Sequence, residues 1–408
     1  MRGDPCSEVA AMVIAERSVG LERAPRAASP PLGAAVRIAE LDALRGLAAL
    51  SVVACHYLLL LSATPFGRAI MAWLAVPPLS LLRTARGSVI LFFVLSGYVL
   101  APSLIGERRP SWLGFALRRL CRIWLPFAAT ILASFALGCL LMPPDPMLPS
   151  VWSVNAWPHE TLSVEALVPQ ISMTTMWLYL DVPAWSLVIE LRISLVFPLL
   201  LFLLRRAPAT VLAATLVLAV AGRAGPPWLA AFLPVAASYV VYFAAGAWLA
   251  LNRARVAGLV TSASGPVQFV FAVVALLLVS IPGDSAGAAA GTGLGAVLII
   301  ALTAAPASKR LLAARWCRFL GQISYSLYLT HVVVLMTLGL LLGNMLSVPL
   351  LLAVATPVIG LVAWVGYRWI ERPSIRLGRA LSAVADRRAP HLACIPAELD
   401  GAASAARR

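Results

Sequence analysis

Apolar residues run through this chain in blocks near twenty residues long, and short segments between the blocks carry most of its charge. A block of that length crosses roughly 30 Å of hydrocarbon as a helix. Lipid offers no partner to an unbonded backbone N–H or C=O, so such blocks are expected to be helical. The pattern predicts spans at roughly 43–62, 87–105, 121–142, 185–205, 208–223, 229–251, 266–282, 287–305, 322–343 and 347–370, about ten in all. The stretch from Leu74 to Leu82 is apolar but broken by Pro77 and Pro78, which predicts an interfacial segment. The expected fold is all-α, a polytopic transmembrane helix bundle. Residues 1–38 show little periodicity and read as a flexible cytoplasmic tail, residues 39–376 as the transmembrane domain, and residues 377–408 as a second cytoplasmic tail. Val9–Ala15 is too short for a signal peptide.

Arginine placement sets the expected orientation. Arg108, Arg109, Arg118 and Arg119 fall between the second and third spans. Arg205 and Arg206, Arg253 and Arg255, and the group Lys309, Arg310, Arg315 and Arg318 recur on the same side. The longest loop, Pro143–Ala184, has no Lys or Arg and carries Asp145, Glu160, Glu165 and Asp181. Both termini are therefore predicted inside. Arg68, Arg83, Arg86 and Arg223 are exceptions on the outside.

Composition agrees. Charged residues are 12% of the chain, against about 25% in soluble domains. The net charge of +15 suggests nucleic acid at first sight, but the cations are spread between apolar blocks, so no nucleic-acid partner is expected. Cys6, Cys55, Cys121, Cys139, Cys317 and Cys394 form no CxxC pair and no Cys/His cluster, so neither a disulfide framework nor a metal site is indicated. No internal repeat of the transporter kind is visible.

Ionisable residues inside spans are costly and mark functional sites. In ELDALRGLAALSVVACHY, Arg45 and His56 are eleven residues apart. That spacing is three turns plus about 20°, so both share one helix face roughly 16 Å apart along the axis. Arg45 then lies near the inner surface and His56 deep in the membrane, a geometry suited to a long donor whose anionic part meets the arginine. Alternatively Asp42 and Arg45 simply pair at i,i+3. In ALRRLCRIWLP, Arg119 and Arg122 share a face with Arg118 adjacent, forming either a fork for phosphates or a plain topological anchor. Glu190 and Arg192 lie in one apolar run and cannot face each other at i,i+2. Each needs a partner elsewhere: Glu190 could orient His56, bind a hydroxyl on the outer side, or form a buried ion pair. In ISYSLYLTH, Tyr325, Tyr328 and His331 make one stripe, read as packing for the tyrosines with His331 as the functional candidate. Ser96–Gly97 in FFVLSGYVL reads first as a close helix approach and second as a substrate contact. His159 and His391 read as solvated.

At these residues the chain resembles the acyltransferase-3 family of integral membrane O-acyltransferases. Five segments match in order: R-x10-H at Arg45 and His56 preceded by Asp42, FFVLSGYVL, RRLCRIWLP, AWSLVIE ending in Glu190, and LGQISYSLYLTH ending in His331. They cover about residues 38–375. The resemblance implies a ten-helix fold in a bacterial inner membrane and transfer of an acyl group, commonly acetyl from acetyl-CoA, to a hydroxyl, commonly of an extracytoplasmic sugar. It implies catalytic roles for His56 and Arg45, with Asp42 beside them, and places Arg118, Arg119 and Arg122 on the CoA side. Glu190, His331, Tyr328 and Ser96 would line the acceptor side. Arg192 departs from the family pattern. Two other readings use the same polar residues: a carrier or flippase for an amphiphilic glycolipid, and a proton pathway through His56, Glu190 and His331.

Overall fold

The computed structural model describes residues 39–105, 109–141, 157, 162–224 and 235–388. Among these residues every regular element is helical. In chain order they are α1 (Ala39–Leu61), α2 (Pro65–Trp73), α3 (Ser80–Arg83), α4 (Arg86–Ser103), α5 (Trp112–Leu141), α6 (Val164–Ile171), α7 (Trp185–Arg206), α8 (Pro208–Ala224), α9 (Val240–Leu251), α10 (Arg253–Ser262), α11 (Gly265–Val279), α12 (Ala286–Leu302), α13 (Pro306–Leu312), α14 (Arg315–Leu342), α15 (Val348–Gly366) and α16 (Arg372–Arg388).

Six stretches are long and apolar enough to cross a membrane: α1, α4, α5, α7 with the turn before it, α14, and α15 continued into α16. The pairs α9–α10 and α12–α13 bend by 75° and 89°, and counting each as one broken span gives eight. α8 and α11 have 17 and 15 residues. At 1.5 Å per residue they rise only about 26 and 23 Å, less than the hydrocarbon thickness. Each of the ten predicted segments contains a helix, yet by length and composition the spans number six to eight. The protein is an all-helical, polytopic membrane protein. The interfacial stretch before α4 is, as expected, no span: α2 and α3 flank a turn, with Phe66, Trp73, Val76 and Leu79 exposed.

The functional centre is organised by α1 and α14. Gly46 and Gly321 let their backbones meet: a Cβ on Gly46 would strike the Leu320–Gly321 backbone, and one on Gly321 would strike Asp42 and Ala43. Ten residues further along each helix, His56 meets His331. Matching contacts at matching intervals mean that the two helices run parallel. Buried Gly46, Ala49, Val53 and His56 on one helix, and Gly321, Ser324, Tyr328 and His331 on the other, follow the alternating three- and four-residue spacing of a helix–helix seam. Small residues at the start of the seam bring the helices close, and this fixes the register of the histidines. Gly46→Val is therefore expected to lower stability by about 1–3 kcal/mol through overpacking, seen as an earlier melting transition in detergent.

A second close approach joins α4 to α9. A Cβ on Gly97 would strike the Phe243 backbone, and one on Gly246 the Val94 carbonyl. Ser96–Gly97 thus serves the helix contact read from the sequence, and Ser96 has a polar role as well, described below.

Two expectations are corrected. The basic segment RRLCR is not a loop. It lies within α5, which starts at Trp112 and has 30 residues, about 45 Å of rise, so its first turns project beyond any hydrocarbon layer. Residues 378–388 do not form a free tail. They continue α16, which packs along α5: Gly378 lies against Arg118 and Cys121, Arg118 Nε donates to Ser382 Oγ at 2.7 Å, and Ser111 N and Oγ donate to Asp386 Oδ1 at 2.8 and 2.6 Å. The predicted tail 1–38 lies outside the described residues, as do His159, His391, Cys6 and Cys394. Of the other cysteines, Cys55, Cys121 and Cys317 are buried and Cys139 is exposed.

Candidate functional site

The histidine pair sits at the centre of the bundle. His331 is fully enclosed and His56 nearly so. His331 Nε2 lies 3.1 Å from His56 Nδ1, with ring centroids 5.0 Å apart. Each Nδ1 also faces the carbonyl one turn back in its own helix: His56 that of Val52 at 2.9 Å, and His331 that of Leu327 at 3.0 Å. A carbonyl only accepts, so both Nδ1 atoms carry the proton. His331 Nε2 is then a lone pair facing the His56 Nδ1–H, and the basic nitrogen of His56 is Nε2. This is the arrangement in which one group orients an imidazole through its Nδ1–H. The sequence placed His331 among acceptor-side residues. The structure places it on the ring of His56, a role otherwise entertained for Glu190.

Glu190 is engaged elsewhere. Its Oε1 accepts from Arg119 Nη2 at 2.9 Å and from Ser96 Oγ at 2.9 Å. Arg119 Nη2 also reaches Ser194 Oγ at 3.2 Å. Both side chains are largely buried, 9% and 17% exposed. Two residues read as belonging to opposite substrates are therefore each other's partners, because α5 and α7 pack side by side and turn both groups inward. Arg45, bridged to Asp42 at 3.5 Å, interacts electrostatically with Arg122, Glu190 and Arg119. The polar cluster thus joins α1, α4, α5 and α7 and contains three arginines against two carboxylates. Arg118 points away to α16. Arg122 is half-buried and forms no hydrogen bond or ion pair among the described residues, and Arg119 Nε has no hydrogen-bond partner among them either, so within RxxR these are the unpaired donors.

Between the arginine cluster and the histidines runs the tyrosine stripe of α14. Tyr325 OH donates to the Ile123 carbonyl at 2.7 Å. Tyr328 OH lies 2.6 Å from the Pro183 carbonyl and 2.7 Å from Ser186 Oγ. Its ring packs 5.7 Å from Phe92 and 6.1 Å from His331. Packing is thus part of its role, and its ring also borders a cavity.

That cavity, about 440 Å³, is lined by His56, Tyr328, Trp185, Tyr239, Arg86 and Arg223 among others. It opens at the end of the bundle opposite Arg45. A smaller one of about 290 Å³ lies at the other end, where Glu40, Tyr98, Arg253 and Lys309 meet.

Arg192, the departure from the family pattern, hydrogen-bonds to no other helix among the described residues. Its Nη2 donates to the carbonyls of Met173 and Thr174 at 2.8 and 3.0 Å, tying the segment after α6 to α7. Much of this segment is buried, although the sequence suggested only an acidic outer loop. α6 is capped by Ser163, whose Oγ accepts from Ala166 N at 3.2 Å, with Glu165 in its first turn. That N-cap signal was legible. Asp181 is buried without a hydrogen-bond partner for its carboxyl among the described residues, and burial raises its pKa well above the usual carboxylate range.

Comparison with known proteins places this geometry in context. The chain is 31% identical to acyltransferase MdmB of Streptomyces mycarofaciens over 182 residues, 42% of this chain and 41% of that protein. The match thus spans less than half of either. No solved structure matches. The sequence model of the acyltransferase-3 family, described as an acyltransferase domain, matches residues 38–368, from the start of α1 to the end of α15 and just beyond. By that match, which takes in Arg45, His56, Arg119, Glu190 and His331, the chain belongs to the acyltransferase-3 family.

Proposed function

We propose that the protein is a membrane O-acyltransferase that moves an acyl group, in the simplest case acetyl, from cytoplasmic acyl-CoA to a hydroxyl of an extracytoplasmic or lipid-linked carbohydrate or related glycoside. In this reading it resides in a bacterial inner membrane with ten spans and both termini inside. The short helices α8 and α11 then cross by local thinning of the bilayer. One observation carries the proposal: a buried imidazole pair lies between an arginine cluster at one end of the bundle and, at the other, a cavity bordered by Arg86 and Arg223.

The donor's phosphates bind at Arg122 and Arg45, and its thioester extends along the tyrosine stripe to His56. Nε2 of His56 takes the proton of the acceptor hydroxyl as that oxygen attacks the thioester carbon. The C–S bond breaks, and the CoA thiolate leaves with the proton returned by His56. The lone pair of His331 Nε2 accepts from Nδ1–H and favours the transient imidazolium. His331→Phe keeps an aromatic ring at this position but deletes that acceptor, so kcat is expected to fall on the order of 10²-fold while the KM for acyl-CoA stays unchanged, as steady-state kinetics would show.

The proposal is tested with membranes containing the protein, labelled acetyl-CoA and an extract of host envelope glycans and metabolites. Ester-linked label and a product heavier by one acyl group are expected. Substrate moved across the membrane with unchanged mass would instead indicate a carrier.

A further inference from the structure

Two of the four arginines that break the inside bias of positive charge, Arg86 and Arg223, come together in the wall of the cavity that touches His56. Topology does not require them at that end of the bundle. Arg223, at the end of α8, is held by backbone carbonyls: its Nη1 donates to Ala219 O at 3.0 Å and Ser238 O at 2.9 Å. Its guanidinium lies 5.1 Å from the ring centre of Tyr239. It forms no ion pair among the described residues. Arg86, at the start of α4, donates to Asp284 Oδ1 at 2.6 Å. The Asp284 side chain is 98% exposed and that of Arg86 only 20%. Asp284 also borders the cavity, but its exposed carboxylate stays hydrated when released, so an incoming anion can replace it on Arg86 without leaving Asp284 buried and unpaired.

Resting on the acyl-transfer reading, we propose that this cavity is the acceptor site and that Arg86 and Arg223 select an acceptor bearing a phosphate or carboxylate near the hydroxyl to be acylated. Trp185 and Tyr239 supply an apolar wall on which the body of the acceptor rests. Arg86 and Arg223 hold the anionic group at the mouth. The hydroxyl is thereby presented at the deep end, where His56 lines the same space. Anchoring a remote charge in order to position the reacting group is a use of binding energy that raises the rate of transfer. The anionic group can belong to a soluble acidic sugar or to a lipid-linked sugar phosphate, and the chemistry recognised is the same.

The test uses the full chain in phosphatidylcholine nanodiscs with labelled acetyl-CoA and envelope extract. Labelled product is fractionated on an anion exchanger, and partition into butanol separates a lipid-linked source from a water-soluble one. Methyl β-D-glucuronide and methyl β-D-glucoside are added as competitors. The expected result is labelled ester retained on the exchanger, with the glucuronide inhibiting at least tenfold more strongly than the glucoside. In Arg223→Gln and Arg86→Gln that preference is expected to disappear while the KM for acetyl-CoA stays within twofold, and Arg86→Lys is expected to restore part of it. Labelled product that is neutral, or a preference that survives both glutamine variants, overturns the assignment while leaving the enzyme intact. Absence of any labelled ester overturns the acyl-transfer reading and this inference with it.

Discussion

His56→Ala is expected to lower acyl transfer by about 10²–10⁴-fold, the usual contribution of a positioned base. Its cause is local: the variant removes Nε2, the basic nitrogen left when Nδ1–H is directed to Val52 O and His331 Nε2. Because the ring bears on the reacting atoms and not on the donor's phosphates, the loss falls on kcat and the KM for acyl-CoA holds. Folding should survive, since the α1–α14 seam is set ten residues earlier at Gly46 and Gly321; a wild-type melting profile with lost turnover is the expected pairing. Undiminished turnover in this variant would remove the mechanism.

Breaking the Arg119–Glu190 pair has the largest expected effect on stability. Removing one partner leaves the other charge inside the bundle. For a buried pair that costs about 3–5 kcal/mol, and the slight exposure of these side chains points to the lower end. Arg119→Ala and Glu190→Ala should each melt early, whereas the apolar double variant Arg119→Met/Glu190→Leu should recover most of the loss, because no lone charge remains. Arg122→Gln provides the contrast. Arg122 has no protein partner among the described residues, so its loss is expected to raise the KM for acyl-CoA and leave melting unchanged. Thermal unfolding in detergent alongside steady-state kinetics separates the two. If Arg119→Ala melted like the wild type and only its KM rose, Arg119 would belong with the phosphates and not with Glu190.

The sequence was informative wherever the information was periodic. Helical periodicity placed Arg45 and His56 on one face and aligned Tyr325, Tyr328 and His331, and both sets point inward. It could not say that the two faces meet each other. That depends on which helices pack together, and the only local hint was a pair of glycines, Gly46 and Gly321, at equal distances before the two histidines. The partners of Glu190 and Arg192 were hidden for the same reason. Arg119 lies 71 residues away in sequence from Glu190. The carbonyls that satisfy Arg192 belong to backbone, which has no side-chain signature to read. Where periodicity was weak, as after Pro143, a segment read only as an acidic loop contains a capped helix and a buried carboxyl.

In the proposed reaction an acyl group passes from the arginine end of the bundle to a hydroxyl reached through the cavity at the other end. The most direct measurement uses sealed proteoliposomes of known orientation, with labelled acetyl-CoA confined to one side and acceptor extract to the other. Ester label should form when the donor is on the Arg45 side and the acceptor on the Arg86 side, and should vanish when the two are exchanged. Label formed only with donor and acceptor on the same side, whichever side that is, would contradict it.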